Sequence, residues 1–207
     1  ALRLGEAGDV DAILVHSRAA EEAFVASGFG THRREVMYND FVLVGPEDDP
    51  ANVGAAQTAT GAFNLVSEAQ PVFVSRGDDS GTHKKEQSLW LAAGVNPVGD
   101  WYRAVGAGMG AALNTASAMG AYILADRASW LNFGNKGDLA VLFEGDPDLF
   151  NQYAFIPIDQ TRHPYVNAED AARLEAWLTS ARARDLINGY TISGQQLFTF
   201  NATSEPN

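Results

Sequence analysis

The stretch Ser75-Arg76-Gly77-Asp78-Asp79-Ser80-Gly81-Thr82 lies between a predicted strand and a predicted helix. Residues 71–74 form a short apolar run of β-branched and aromatic side chains, which is typical of a buried strand. After the stretch, Leu89, Trp90 and Ala93 recur at helical spacing. The order of strand, polar turn and helix indicates an α/β architecture.

The residue types in this stretch suit the binding of a small anion. Arg76 supplies a guanidinium group, Ser80 and Thr82 supply hydroxyl groups, and the N–H groups of Gly81 and Thr82 lie where the helix begins. We interpret the stretch as an anion pocket at a helix N-terminus. Two simpler interpretations stay open: Ser80 could act only as a helix cap, and Arg76 could pair only with neighbouring carboxylates.

The two acidic residues of the stretch cannot face an anion, because like charges repel each other. Asp78 and Asp79 are therefore expected to orient Arg76 or to cap the helix from outside. Together with His83 they could be drawn as a cation site. The spacing matches no metal signature, however, and carboxylates beside an arginine make a poor cation cage. We predict no metal cation ligands here.

Composition and charge exclude several classes of protein. The chain has 207 residues and a net charge of −12, so a nucleic-acid duplex would repel most of its surface. It has no cysteine, which excludes disulfides, thiolate metal sites and a cysteine nucleophile. No apolar run approaches the roughly 18 residues of a membrane span. We expect a chain that folds around a substantial core and binds no nucleic acid.

Further strands and helices alternate along the chain. Residues 10–16 are rich in aliphatic side chains and predict a buried strand, and residues 36–44 predict a longer strand that Asn39 and Asp40 interrupt. Near the C-terminus, Asn167 is expected to cap a helix. The apolar side chains of that helix are expected on one face: Ala171, Leu174, Trp177 and Leu178.

The alternation predicts two lobes. Residues 46–50 are polar and rich in proline and acidic side chains, so we expect the chain to pass from one lobe to the other there. It returns near the strand predicted at residues 153–158. Lobe 1 then comprises residues 1–45 and 157–207, and lobe 2 comprises residues 46–156 and carries the anion-binding stretch.

Seven blocks of the sequence resemble, in the same order, the substrate-binding proteins of tungstate ABC transporters, which are relatives of the type II periplasmic binding proteins. The block at residues 75–85 is specific, whereas the glycine-rich block alone would be weak. The blocks are residues 4–11, 38–46, 75–85, 108–110, 125–127, 144–147 and 194–198.

The resemblance implies a fold and a set of ligand residues. The fold would have two α/β lobes with mainly parallel sheets, and a tetrahedral oxyanion, tungstate or possibly molybdate, would be held between them. Carried over residue by residue, the anion-binding positions of the family fall on Ser75, Arg76, Ser80, Gly81 and Thr82. Tungstate and molybdate only accept hydrogen bonds at neutral pH, which suits a site composed of donors.

Three further positions are weaker candidates. Met109 and Gly110 lie in the glycine-rich block, which is more typical of a tight turn and a helix start, although a backbone N–H could reach a ligand. Arg127 could face the ligand, but an arginine beside an aspartate more often forms a structural ion pair, here with Asp126.

The resemblance also implies a function. The protein would deliver the oxyanion to an ABC transporter permease from the periplasm or the extracellular side, with no cofactor, and we expect a monomer. Members of the family begin with a strand and a Thr/Ser-rich loop that this sequence lacks, so we expect a further segment before Ala1. One alternative is an oxyanion-binding or metal-binding-like module without a transport role.

An enzyme that handles phosphate or sulfate is the other alternative. Ser80 lacks the sequence pattern of a nucleophile elbow, and the glycine-rich run lacks the Lys-Ser/Thr ending of a P-loop. We therefore predict a binding protein and no enzyme.

Overall fold

The computed structural model describes residues 1–203, which form α-helices and β-strands in alternation. The helices are α1 (Leu2–Ala7), α2 (Arg18–Ala26), α3 (Ala59–Ala69), α4 (Gly81–Ala92), α5 (Met109–Met119), α6 (Arg127–Asn132), α7 (Ala168–Leu178) and α8 (Ala181–Asn188). The strands are β1 (Ala12–Val15), β2 (Arg34–Pro46), β3 (Phe73–Ser75), β4 (Tyr102–Ala104), β5 (Tyr122–Asp126), β6 (Leu139–Phe143), β7 (Phe150–Pro157), β8 (Thr191–Ile192), β9 (Gln195–Gln196) and β10 (Thr199–Phe200).

The chain divides into two compact units. The first contains residues 1–39 and the chain from residue 151 onward, and the second contains residues 40–150. The predicted crossings, after residues 45 and 156, lie six residues later than the observed ones, after residues 39 and 150. The difference arises because the polar turn that follows β2 lies inside the second unit, whereas the chain changes unit within the strand itself.

The second unit contains the parallel part of the sheet. Strand β3 pairs in parallel with β4 on one side and with β5 on the other, so the carboxyl ends of all three strands share one edge. The C-terminal half of β2 pairs with β5 and β6 in antiparallel fashion. Helices α4, α5 and α6 each begin close after one of the three parallel strands.

In the first unit the pairing is antiparallel. Strand β1 pairs with β7, and β10 pairs with the N-terminal half of β2. The predicted α/β fold class is confirmed, and the parallel pairs described within residues 1–203 are those of β3 with β4 and with β5. The strands that lead the chain from one unit to the other run antiparallel to their neighbours, and a mixed sheet results.

Strand β2 is continuous through Asn39 and Asp40, so the predicted interruption is wrong. The Asn39 Oδ1 atom accepts a hydrogen bond from Asn151 Nδ2 at 2.8 Å. Both Asp40 carboxylate oxygens accept hydrogen bonds from Arg127 at 2.6 Å. Two polar residues are tolerated within the strand because these side-chain partners satisfy them.

Two apolar layers cover the sheet of the second unit. One contains the aromatic residues Phe63, Phe73 and Trp90 with helices α3 and α4, and the other contains Leu113 of α5 with Ile123 of β5. The ring centroids of Phe63 and Trp90 are 4.4 Å apart in an edge-on arrangement. These layers hold β3 and α4, and hence the loop between them, in fixed positions.

Helix α7 begins as predicted, because the Asn167 side chain accepts a hydrogen bond from the N–H group of Asp170. Its apolar face is covered only in part: Ala171 is buried, but Leu174 and Trp177 are 46% and 48% exposed. Within residues 1–203, no helix combines the length and the apolar character needed to cross a membrane.

Candidate anion-binding site

The predicted anion-binding stretch connects β3 to α4. Ser75 is the last residue of β3 and Gly81 is the first residue of α4, so the loop lies at the carboxyl edge of the parallel strands. The loop after β4 runs beside it, because the N–H group of Ala107 donates to the carbonyl oxygen of Arg76 at 3.2 Å. In α/β sheets this edge is where ligands bind, since loops and helix N-termini converge there.

The backbone of the loop has a tightly constrained shape. Gly77 and Asp79 adopt the left-handed region, with φ values of 61° and 59°. A Cβ atom on Gly77 would lie 2.9 Å from the Cβ atom of Ala104. Glycine is therefore required at position 77 for two reasons, its φ value and the close approach of β4.

Ser80 caps helix α4. Its Oγ atom accepts a hydrogen bond from the N–H group of His83 at 3.3 Å, and its carbonyl oxygen accepts one from Lys84 at 2.9 Å. The N–H groups of Gly81 and Thr82 precede this first intrahelical bond, so they are available to a ligand. The capping interpretation of Ser80 is confirmed, and it is compatible with an anion at the same helix end.

Arg76 is held by a carboxylate of the same loop. Its Nη2 atom lies 2.5 Å from Asp78 Oδ2, and the other Asp78 oxygen accepts a hydrogen bond from the N–H group of Ser80 at 3.2 Å. The hydrogen bonds from Ser80 and Arg76 lower the pKa of Asp78 to about 2. Asp78 is therefore ionised at neutral pH and neutralises the charge of the guanidinium group.

One buried nitrogen of Arg76 has no hydrogen-bond partner in the part of the chain that the structure describes. The Nε atom is buried and makes no hydrogen bond to any group within residues 1–203. A buried donor without an acceptor is costly, by about 1–3 kcal/mol, and such donors are rare in folded proteins. An acceptor supplied by a ligand would remove this cost.

Two buried polar residues flank the loop, Ser75 at the end of β3 and Glu86 in α4. The Ser75 side chain is fully buried and its Oγ atom has no well-formed hydrogen bond within the described chain, although it lies close enough to Glu86 and Tyr102 to influence their pKa values. Glu86 accepts hydrogen bonds from Tyr102 Oη at 2.7 Å and from Trp90 Nε1 at 3.2 Å.

Burial raises the pKa of Glu86 above its ordinary value, and the hydrogen bonds that it accepts oppose this only in part. The spacing of Glu86 from Trp90, one helical turn later on the same face, was the signal that could have placed it against the core.

A second helix N-terminus lies in the neighbouring loop. Gly108 caps α5, and the Met109 side chain is buried in the apolar layer beneath it. Only the backbone N–H groups of Met109 and Gly110 could therefore reach a ligand. Open space adjoins both Gly108 and Gly110, since a Cβ atom on either would meet no atom within 4 Å. A ligand role for Met109 and Gly110 stays a prediction.

Arg127 belongs to an ion-pair network. It forms two hydrogen bonds of 2.6 Å with Asp40 and a third of 2.6 Å with Glu144. The hydrogen bonds with Asp40, more than those with Glu144, raise the pKa of Arg127. The expected pair with Asp126 is wrong, because Asp126 caps α6 by accepting a hydrogen bond from Ser129 at 2.9 Å. A ligand role for Arg127 stays a prediction.

The structure thus brings five of the predicted residues together at one strand end and helix start: Ser75, Arg76, Ser80, Gly81 and Thr82. Their backbone N–H groups and the Arg76 guanidinium group are donors, and the Asp78 carboxylate of the same loop is already paired with Arg76. Within residues 1–203, no group of three or more histidine, aspartate and glutamate side chains is arranged to hold a metal ion. The arrangement suits an anion that accepts hydrogen bonds.

Comparisons with known proteins show which family this chain resembles. The profile of the PBP superfamily domain matches residues 1–182. The tungstate-binding protein TupA of Peptoclostridium acidaminophilum is 46% identical, over 98% of this chain and 72% of that protein. The chain spans between 61% and 77% of the length of the curated relatives that it matches.

Solved structures show the same fold. The tungstate-binding protein TupA of Desulfovibrio alaskensis superposes with a TM-score of 0.92 and 41% identity, over 98% of this chain and 83% of that one. The structure described as the tungstate ABC transporter of Geobacter sulfurreducens has a TM-score of 0.75 and 46% identity, over 92% of this chain and 81% of that one.

Proposed function

Because this chain belongs to the PBP superfamily and, within it, to the family of the tungstate-binding proteins, we propose that it is a solute-binding protein for a tetrahedral oxyanion. Tungstate is the proposed ligand, with molybdate as its closest chemical competitor. The protein would deliver the anion to an ABC transporter permease on the periplasmic or extracellular side of a membrane. It would act as a binding protein and not as an enzyme.

One observation supports this proposal most directly, the unpartnered Nε atom of Arg76. The side chain of this arginine is only 16% exposed, and its Nε atom is buried without an acceptor within residues 1–203. The N–H groups of Gly81 and Thr82 begin α4 in the same loop. An oxyanion bound here would accept hydrogen bonds from all three groups and would also gain from the helix dipole.

The chemistry of the loop favours a fully deprotonated anion. Tungstate, molybdate and sulfate offer only acceptors, which matches a loop whose unpaired groups are donors. Hydrogen phosphate carries a proton that would need an acceptor. The nearest carboxylate, Asp78, already accepts hydrogen bonds with both of its oxygens. We therefore expect weaker binding of phosphate than of tungstate.

Thermal unfolding with and without added anions tests this function. A ligand that binds only the folded state at about 100 times its Kd should stabilise the protein by about 2.7 kcal/mol. We expect tungstate to raise the Tm most, molybdate next, and phosphate least. An unchanged Tm with all of tungstate, molybdate, sulfate and phosphate would contradict the proposed function.

Two arginine variants distinguish binding of the anion at the candidate site from a general effect of positive charge on the protein. Arg76→Gln should abolish the rise in Tm with tungstate, since it removes the donor group that faces the anion. Arg103→Gln is the matched control, because Arg103 is exposed on the neighbouring strand β4 and, among the described residues, its side chain bonds only to the Asp100 carbonyl oxygen. The control should keep the full rise, and a full rise for Arg76→Gln would exclude Arg76 as a ligand.

A further inference from the structure

The carboxylate of Asp78 links the two parts of the candidate site. One of its oxygens lies 2.5 Å from Arg76 Nη2, and the other accepts the N–H group of Ser80, the residue that caps α4. We propose that Asp78 is a positioning residue that sets the selectivity among oxyanions by fixing the direction of the Arg76 guanidinium group. This inference rests on the proposed function.

The planar shape of the guanidinium group explains how one contact fixes the whole group. Its five donors lie in one plane, so a bond at Nη2 limits the directions in which the other donors can point. Asp78 occupies Nη2 on one edge, and the buried Nε atom remains without a partner within residues 1–203. The guanidinium donors of Arg76 therefore point in fixed directions toward a ligand, whereas an unrestrained arginine side chain could change its orientation.

The backbone around Asp78 makes this contact rigid. Asp78 lies between Gly77 and Asp79, both of which have left-handed backbone conformations. The carbonyl oxygen of Arg76 is also held, by the N–H group of Ala107. The carboxylate therefore approaches Arg76 from a fixed position, which limits how far the guanidinium group can adjust to ligands of different size.

Charge and direction contribute differently to selectivity. Because Asp78 is ionised, Arg76 adds little net charge to the site, and binding depends on donors placed for one anion geometry. Attraction by net charge alone would hold all dianions to a similar extent and would weaken with salt. Removal of Asp78 should therefore leave a site that binds dianions with less discrimination and with a stronger dependence on ionic strength.

The variants Asp78→Asn and Asp79→Asn provide a matched test, because each removes one negative charge from the same loop. The Asp79 side chain is 86% exposed and lies 3.5 Å from Lys84 Nζ, and the Asp79 N–H group donates to His83 Nδ1 at 3.1 Å. Within residues 1–203, its carboxylate makes no hydrogen bond or ion pair with Arg76. Asparagine also tolerates the left-handed conformation of position 79. Calorimetry at about 50 mM and 300 mM NaCl would measure the Kd values of tungstate and sulfate for each protein.

For Asp78→Asn we expect the ratio of the sulfate Kd to the tungstate Kd to fall at least about tenfold, which corresponds to about 1.4 kcal/mol. The tungstate affinity should also become more sensitive to salt. Asp79→Asn should keep the ratio within about twofold. Equal changes in both variants would show that only charge matters, and an unchanged ratio in Asp78→Asn would also overturn the proposal.

The Nε–H signal of Arg76 in an NMR spectrum of the anion-free protein gives an independent readout. In the wild type and in Asp79→Asn this group should be ordered and slow to exchange with solvent, and in Asp78→Asn it should become mobile. Wild-type protein that binds no oxyanion but shows an ordered Nε–H would refute the proposed function alone. A mobile Nε–H in the wild type would refute the positioning role of Asp78.

Discussion

Replacing Gly77 by alanine should destabilise the protein by about 2–4 kcal/mol, because two costs coincide at this position. Gly77 has a φ value of 61°, and a Cβ atom there would lie 2.9 Å from the Cβ atom of Ala104. Gly106, in the neighbouring loop, has a φ value of 63° but open space around it. Gly106→Ala is therefore a control that carries the backbone cost without the steric one.

The magnitude follows from these two terms. The left-handed conformation costs a residue with a Cβ atom about 1–2 kcal/mol. Alanine also lowers the conformational entropy of the unfolded chain, which offsets about 0.4–1 kcal/mol of this destabilisation. Gly106→Ala should therefore cost about 1 kcal/mol. In Gly77→Ala, strand β4 must move or the loop must open, which adds about 1–3 kcal/mol by analogy with overpacked cores.

Thermal unfolding of the anion-free proteins would measure the difference. For a chain of this size, each kcal/mol lowers the Tm by about 2–4 °C. We expect a decrease of about 4–16 °C for Gly77→Ala and of about 2–4 °C for Gly106→Ala. Equal decreases for the two variants would refute the reasoning, because the close approach of β4 would then contribute nothing.

Three further predictions concern the surroundings of the site. The pKa of Glu86 is raised in the folded state, so the folded protein binds the proton of this carboxyl group more tightly than the unfolded protein does. The contribution of protonated Glu86 to stability should therefore be lost as the pH rises from 4.5, the ordinary pKa of the group, through its raised pKa in the folded protein. In urea unfolding, Glu86→Gln should remove this slope, and a difference from the wild type that is independent of pH would contradict the assignment. Arg127→Gln leaves two carboxylates without their partner and should lower the free energy of unfolding by about 3 kcal/mol. Arg18→Gln breaks an exposed ion pair and should lower it by less than about 0.5 kcal/mol. Similar losses for the two variants in urea unfolding would contradict a larger contribution of the Arg127 network to stability. Trp90→Ala should lower the free energy of unfolding by about 3–5 kcal/mol, because the Trp90 side chain is 1% exposed in the aromatic layer. The neighbouring Leu91 is 80% exposed, so Leu91→Ala should lower it by less than about 0.5 kcal/mol. A comparable decrease of Tm in both variants would argue against the described core.

Several features could be predicted from the sequence because they depend on residues close together in the chain. The β3 strand, the polar turn and helix α4 follow from an apolar run, a group of turn residues and a helical period within some twenty positions. The cap at Ser80 and the cap at Asn167 likewise involve backbone groups only three residues away. Short-range chemistry of this kind leaves a readable pattern.

Other features were decided only by tertiary structure, because they depend on partners that are distant in the chain. Arg127 pairs with Asp40, 87 positions away, rather than with its neighbour Asp126. The exposure of Leu174 and Trp177 depends on what the rest of the fold places against α7, which the helical period of the sequence does not contain.

The candidate site shows both kinds of determination. The sequence alone determined which donors it contains, since Ser75, Arg76, Ser80, Gly81 and Thr82 are neighbours in one stretch. Which of those donors lack a hydrogen-bond partner among the described residues depends on the tertiary structure. The close approach of the next loop arises from the parallel pairing of β3 and β4, which joins segments that the sequence separates by almost thirty residues. The burial of the Arg76 Nε atom likewise depends on the folded chain.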